Sequence, residues 1–250
     1  MKDLLVEDIS IPIDSGKMQL KGSIFYNSET PIKAPWIIIL NGFLAHRGSD
    51  FVKSFSEKFV SAGYYVLSYD YRGHGKNLKE FSKFELYKMT PKIFSDIHDV
   101  ISWVLENKKD NLLEEEIILF GRSYGGAIIL THGFIDKRVK KIIALCTRYD
   151  YLTVQLKIPK DAKKKIAEMI SPKLFLKKDP SNNKRILIVH CKDDERIPFV
   201  NVLQIKDHLG LNDDNVLIYE KGGHSFQGLH DDIFNCTIEF LKKYKKGNYN

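Results

Sequence analysis

The stretch Ile117-Ile118-Leu119-Phe120-Gly121-Arg122-Ser123-Tyr124-Gly125-Gly126 decides how this chain is read. Its four leading apolar residues fit a strand buried on both faces, and Ala127 to Phe134 continue with helical spacing. Between strand and helix stands G-x-S-x-G, the pattern of a serine carried on a sharp turn. Such a turn forces strained backbone angles and leaves no room for bulky neighbours, which is what the glycines supply. Ser123 is therefore the predicted nucleophile. Its hydroxyl stands above a sheet edge at the start of a helix, where developing negative charge is favoured.

Working outward, the same alternation recurs. Continuous apolar runs at Trp36 to Leu40, Tyr64 to Tyr69, Ile142 to Leu145 and Ile186 to Val189 read as further buried strands. Helical periodicity fills about 50–62, 92–108, 124–134, 199–209 and 229–246. Strands alternating with helices of this length predict βαβ units and a doubly wound, mostly parallel sheet with right-handed crossovers. Before them, Leu4 to Ile13 and Met18 to Tyr26 alternate in polarity across Asp14-Ser15-Gly16, the signature of an antiparallel hairpin. The 250 residues suit a single domain at 1–250. The 40 residues between Leu145 and Ile186 exceed what a crossover needs, so about 149–182 are expected to form a small cap or lid over the sheet. Its Tyr149, Tyr151, Met169, Leu174 and Phe175 either line a pocket or pack as core beneath that lid.

Composition excludes several function classes. The hydrophobic share of 43% and charged share of 28% are those of an ordered globular chain. The net charge of +7 is carried mostly by scattered lysines, with seven arginines. Nucleic-acid readers favour arginine for its planar fork, so no nucleic-acid partner is predicted. The one dense run, Lys242, Lys243, Lys245 and Lys246, suits the negative end of a last helix. The opening residues carry acids and no apolar segment, which predicts no signal peptide, and the longest apolar run is too short to span a bilayer. Cys146, Cys191 and Cys236 are odd in number, sit beside apolar residues and lack metal-ligand spacing. They read as free buried thiols in a cytoplasmic protein. No metal site and no cofactor motif is found.

A serine hydroxyl needs a base. His224, in Lys221-Gly222-Gly223-His224-Ser225-Phe226, follows the predicted strand Asn215 to Glu220 and so falls on the edge where open α/β sheets bind ligands. Imidazole takes and returns a proton near neutrality. The base in turn needs an acid to hold its tautomer. Asp193, Asp194 and Glu195 all follow the strand Ile186 to Val189, and spacing alone does not choose among them.

These motifs together resemble the α/β-hydrolase family, within it the lidded esterases, monoglyceride lipases and cinnamoyl/feruloyl esterases, over about residues 16 to 245. The resemblance implies an α/β-hydrolase fold with an eight-stranded, mostly parallel sheet. It implies a Ser-His-Asp triad in the order Ser123, Asp194, His224. The family's acid loop, H-G-x-x-D-x-x-V-P, is matched by His190, Asp194, Ile197 and Pro198, with Cys191 in the glycine's place; that register selects Asp194. The family's H-G-F motif reads Asn41-Gly42-Phe43 here, and implies an oxyanion hole from the backbone N–H groups of Phe43 and Tyr124. Asn41 departs from the usual histidine, though it retains hydrogen-bonding capacity. Asp70-Tyr71-Arg72-Gly73-His74-Gly75 matches a D-x-R-G-x-G stretch in which a charged pair braces a turn; His74 is not read as a second base.

The implied activity is hydrolysis of a carboxylic ester, a small-molecule substrate of small to medium acyl or aryl size, through an acyl-enzyme. Thioesterase, amidase or C–C bond hydrolase chemistry would use the same triad. A ligand-binding module that kept the fold is the reading from another class. No stable membrane insertion is expected, and the sequence does not set the oligomeric state.

Overall fold

The structure is a computed structural model and describes residues 3–75, 81–154 and 159–243. Eight strands form one sheet: β1 (Leu5–Ile13), β2 (Met18–Tyr26), β3 (Ala34–Leu40), β4 (Tyr65–Tyr69), β5 (Leu112–Arg122), β6 (Val139–Leu145), β7 (Ile186–Cys191) and β8 (Val216–Tyr219). Their spatial order is β1-β2-β4-β3-β5-β6-β7-β8. β1 pairs antiparallel with β2, and β2 antiparallel with β4; every later pair is parallel. The protein thus has the α/β-hydrolase architecture that its motifs imply. The described helices are α1 (Asp50–Ser61), α2 (Lys83–Asn107), α3 (Tyr124–Ile129), α4 (His132–Ile135), α5 (Lys160–Ile170), α6 (Asn182–Arg185), α7 (Val200–Leu209) and α8 (His230–Lys243). None of them is long and apolar enough to cross a membrane.

The apolar runs are continuous because the sheet is covered on both sides. Ile38, Leu119, Ile142 and Ile188 pack into one core beneath α2, α3 and α7. Their strand neighbours Ile37, Ile39, Phe120, Ile143 and Val189 point the other way, into a second core with Phe55 and Phe59 of α1 and Phe240 of α8. Each such side chain contributes about 1.5–3 kcal/mol by leaving water. In-register parallel pairing, Leu40 with Gly121, Arg122 with Leu145 and Cys191 with Tyr219, brings the carboxyl ends of β3, β5, β6, β7 and β8 to one edge.

Several boundaries differ from the sequence reading. The helix expected from residue 92 begins at Lys83, because Ser82 and Glu85 form a reciprocal capping box and the chain stays helical through Pro91. Leu86, Ile93 and Phe94, buried on either side of the proline, hold that helix against the sheet. The helix expected over 124–134 is broken in two, and Thr131 at the break donates its hydroxyl to the carbonyls of Ala127 and Ile128. The Asp70/Arg72 stretch is braced by two separate pairs. Asp70 binds Arg47 at 2.6 Å, while Arg72 grips Asp96 of α2 through Nε at 2.7 Å and Nη2 at 2.6 Å. Cys236 is half-buried, unlike Cys146 and Cys191. Lys245, Lys246 and the end of the last predicted helix lie outside the described residues.

The long connection from β6 to β7 carries α5 and two short 3₁₀ turns, Tyr151–Thr153 and Pro172–Leu174. It rests partly on a histidine relay. His98 Nδ1 meets Asp136 at 2.9 Å, His98 Nε2 meets His132 Nδ1 at 3.2 Å, and the His132 ring lies 5.3 Å from that of Phe175. Burial, with His98 alongside, lowers the His132 pKa to about 4. The unfolded chain takes up this proton near 6.5, the folded chain only near 4. The stabilisation is therefore full above about pH 6.5 and is lost as pH falls toward 4. The urea midpoint is expected to decline over that window, and His132→Gln should flatten the decline; an identical slope in the variant would refute the assignment.

Candidate active site

Ser123 sits between β5 and α3 with φ 58° and ψ −109°, a left-handed conformation rare for any residue but glycine. Its N–H donates to Leu145 O at 2.8 Å, which fixes the turn to β6. The surrounding glycines are sterically required. A Cβ on Gly121 would stand 2.6 Å from Gly125 O, one on Gly125 would stand 2.3 Å from Leu40 O, and one on Gly126 would stand 2.0 Å from Thr147 Oγ1. The turn is thus pressed against β3 and β6, with Gly125 N–H bonded to Asn41 O at 2.8 Å.

His224 lies in a 3₁₀ turn, Gly223–Ser225, after β8. Gly222 and Gly223 adopt φ of 139° and 60°, angles unfavourable to other residues. Its Nδ1 meets Asp194 Oδ2 at 2.8 Å, and the Asp194 side chain is fully buried. Asp194 Oδ1 accepts from the N–H groups of Arg196 and Ile197 at 2.8 and 3.0 Å. Burial raises the Asp194 pKa, but the His224 bond and these two N–H donors outweigh it, so the carboxyl titrates below its usual range. Asp193 faces the same loop differently: it accepts from Gly222 and Gly223 N–H at 3.2 and 2.8 Å. Asp193 therefore holds the histidine's loop while Asp194 holds its ring. Sequence spacing did not separate these neighbours, because only the folded β7 and β8 loops show which carboxyl meets which group. Glu195 is exposed.

Ser123 and His224 are not hydrogen-bonded to one another in this structure. They approach through Cys146, whose backbone follows the Leu145 carbonyl that receives Ser123 N–H and whose Sγ lies 3.7 Å from His224 O. Catalytic hydrogen bonds are commonly long without substrate and tighten when it binds. Cys146 itself is no rival nucleophile, since burial pushes its thiol far up. Among the described residues Cys146, Asp194 and His224 form the group whose potential metal-ligand atoms converge, within 4.8 Å. The Asp194 and His224 atoms there are engaged with each other and the thiol is held protonated, so the trio has the chemistry of a hydrogen-bonded pair over an inert sulfur.

Asn41 occupies the position where a histidine was the pattern. Its Oδ1 accepts from Ser49 Oγ at 2.8 Å and its carbonyl accepts from Tyr71 OH at 2.8 Å, so the loop before α1 is tied at both ends. Phe43, at the loop's crest, packs its ring 5.2 Å from that of Tyr124. The backbone N–H groups of Phe43 and Tyr124 take no acceptor among the described residues. His74 lies buried behind this loop with its Nδ1 on Arg72 O at 2.9 Å. An open cleft of about 610 Å³ adjoins His224 and is lined by polar residues including Arg196, Lys221 and Gln227. A larger cavity, about 680 Å³, lies on the hairpin flank beside Met18, Leu20 and Arg72.

The family described as serine aminopeptidase, S33, matches residues 33–185. Among curated relatives, an uncharacterised 31.7 kDa protein from the traX–finO intergenic region of Escherichia coli is 32% identical over 116 residues, 46% of this chain and 38% of that protein. The quorum-quenching protein AidA of Acinetobacter baumannii is 24% identical over 138 residues, 55% of this chain and 43% of AidA. These matches span less than half the length of either relative. Among solved structures, Est1E of Butyrivibrio proteoclasticus with ferulic acid bound superposes with a TM-score of 0.74 at 19% identity, covering 94% of this chain and 98% of that one. An acylaminoacyl peptidase complexed with a chloromethyl ketone gives a TM-score of 0.73 at 20% identity, covering 100% of this chain and 43% of that one. At these identities the shared property is the fold.

Proposed function

Since the chain belongs to the serine aminopeptidase S33 family of α/β-hydrolases, we propose that it is a serine hydrolase cleaving a carboxylic ester with Ser123, His224 and Asp194. The observation that carries this reading is the buried, ionised Asp194 bonded to His224 Nδ1 at 2.8 Å, at the edge where Ser123 stands in its strained turn. In that arrangement the carboxylate keeps the proton on Nδ1, leaving Nε2 to accept the serine proton.

The steps follow from the residues. His224 takes the proton of Ser123 Oγ as it attacks the ester carbonyl. The oxyanion is held by the Phe43 and Tyr124 N–H groups, whose loss one at a time costs about 3–4 kcal/mol of barrier in comparable sites. His224 returns the proton to the departing alcohol, and water repeats the sequence on the acyl-enzyme. The connection between β6 and β7 serves as a lid on this reading. Arg148 Nη2, at its root, binds Arg196 O at 3.1 Å, and Leu152, Met169 and Leu174 stay exposed on it. Est1E, with ferulic acid bound, favours an acyl or aryl ester. The family description and the acylaminoacyl peptidase favour a second reading, cleavage of an amide or N-terminal peptide bond by the same residues.

A fluorophosphonate probe tests the assignment. One equivalent is expected to attach at Ser123, and Ser123→Ala should remove both labelling and hydrolysis of 4-nitrophenyl esters while the thermal midpoint stays within a few degrees. Labelling elsewhere, or turnover retained in the variant, would sink it. Turnover of aminoacyl anilides with no ester turnover would select the amide reading.

A further inference from the structure

Among the described residues four of the seven arginines have no carboxylate partner, and three of those four stand on the loops that carry the proposed triad. Arg47, Arg72 and Arg138 are ion-paired, and Arg185 binds the carbonyls of Phe134 and Asp136. Arg122 is the last residue of β5, and Arg148 and Arg196 lie beyond the ends of β6 and β7, each two residues after Cys146 and Asp194 respectively. Arg122 directly precedes Ser123. It makes neither hydrogen bond nor ion pair among the described residues, and its Nε is buried without an acceptor. Its guanidinium lies 4.5 Å from the Phe51 ring centroid, and its Nη2 would be 3.8 Å from a Cβ on Gly42 of the oxyanion loop. Arg148 spends its donors on the Thr153 hydroxyl and the Arg196 carbonyl. Arg196 is exposed and lines the 610 Å³ cleft beside His224, together with Lys221 and the two acids Asp193 and Glu195.

A half-buried guanidinium without an acceptor, as at Arg122, is costly unless an anion completes it. The local carboxylates do not do so. Asp194 is taken by His224, Asp193 by the Gly222 and Gly223 amides, and Asp150 by Lys173 at 3.0 Å. Glu195 is exposed and makes no ion pair among the described residues.

We propose that this arginine cluster is the specificity site of the enzyme, and that its substrates are esters bearing a free carboxylate close to the scissile bond. The inference rests on the serine-hydrolase reading above. Arg196 engages the carboxylate at the cleft, and Arg122, next to Ser123, adds positive potential. The carboxylate could belong to the acyl chain, as in a half-ester of a dicarboxylic acid, or to the alcohol.

Two pairs of esters distinguish these sources: mono-(4-nitrophenyl) glutarate against 4-nitrophenyl pentanoate, and 4-carboxyphenyl acetate against phenyl acetate. The anionic member of one pair is expected to show a kcat/KM about tenfold higher than its neutral partner, as one charge-assisted contact provides. That ratio should fall severalfold in Arg196→Gln, recover partly in Arg196→Lys, rise in Glu195→Gln and shrink at high salt. Ratios at or below one in both pairs, or a ratio that Arg196→Gln leaves unchanged, would overturn the proposal. If none of the four esters turns over, the hydrolase reading fails, and binding then judges the cluster separately. Glutarate or 4-hydroxybenzoate should bind the Ser123→Ala protein saturably in calorimetry and lose affinity with Arg196→Gln added; absence of binding would equally overturn it.

Discussion

Asp194→Asn is expected to lower kcat for 4-nitrophenyl acetate by about 10⁴ while leaving the protein folded. The reason lies in which atoms the side chain serves. Oδ1 accepts from two backbone N–H groups at 2.8 and 3.0 Å, and an asparagine carbonyl oxygen would keep both bonds. The amide nitrogen is then forced onto the His224 side, where the carboxylate now accepts at 2.8 Å. Facing an N–H donor, His224 Nδ1 must present its lone pair, and the ring proton moves to Nε2. Nε2, which the proposed mechanism uses to take the Ser123 proton, can no longer accept one, so that proposed base is lost without loss of shape. Steady-state kinetics with a thermal melt check this. A fall of less than about tenfold would mean that Asp194 does not set the tautomer. Asp193→Asn offers the contrast: its oxygens meet Gly222 and Gly223 N–H and not the imidazole, so the amide gives up one loop contact but leaves the His224 tautomer alone, and kcat should fall far less.

Gly125→Ala is expected to be the most damaging single-methyl change in the chain. The added carbon would stand 2.3 Å from Leu40 O and 2.6 Å from Asn41 O. Both are backbone atoms, so no rotamer change relieves the contact. β3 must separate from the turn, breaking the Gly125 N–H bond to Asn41 O. Overpacking in a close-packed interior typically costs about 1–3 kcal/mol, and a backbone collision belongs at or beyond the top of that range. For a protein of this size about 3 kcal/mol lowers the thermal midpoint by about 6–12 °C. Gly126→Ala collides chiefly with the Thr147 side chain, which can turn in part, and meets backbone only at 3.3 Å from Gly121 O, so it should be milder. A melt in which Gly125→Ala is as stable as the parent would refute the steric account.

Much of this molecule was legible along the chain. The apolar runs at Trp36, Tyr64, Ile117, Ile142 and Ile186 became β3 to β7 because a sheet covered on both faces demands hydrophobic residues at every position. The strand–turn–helix context of Gly121 to Gly126 placed Ser123 at a positive φ, since only small neighbours permit that turn. The helix expected from about residue 92 reaches back through Pro91 to Lys83, against the tendency of a proline to end a helix. The Ser82/Glu85 capping box and burial on both sides carried the helix through.

Local sequence, through side-chain polarity, backbone freedom and short-range spacing, determined the strand and helix identities, the tight turn at Ser123 and the loops on which an acid and a base would fall. Tertiary structure alone decided the division of labour between Asp193 and Asp194, the separate partners of Asp70 and Arg72, and the gathering at one sheet edge of Arg122, Arg148 and Arg196, which have no carboxylate partner among the described residues. Those outcomes depend on distances between residues far apart in the chain, and such distances exist only once parallel pairing has brought the strand ends into register.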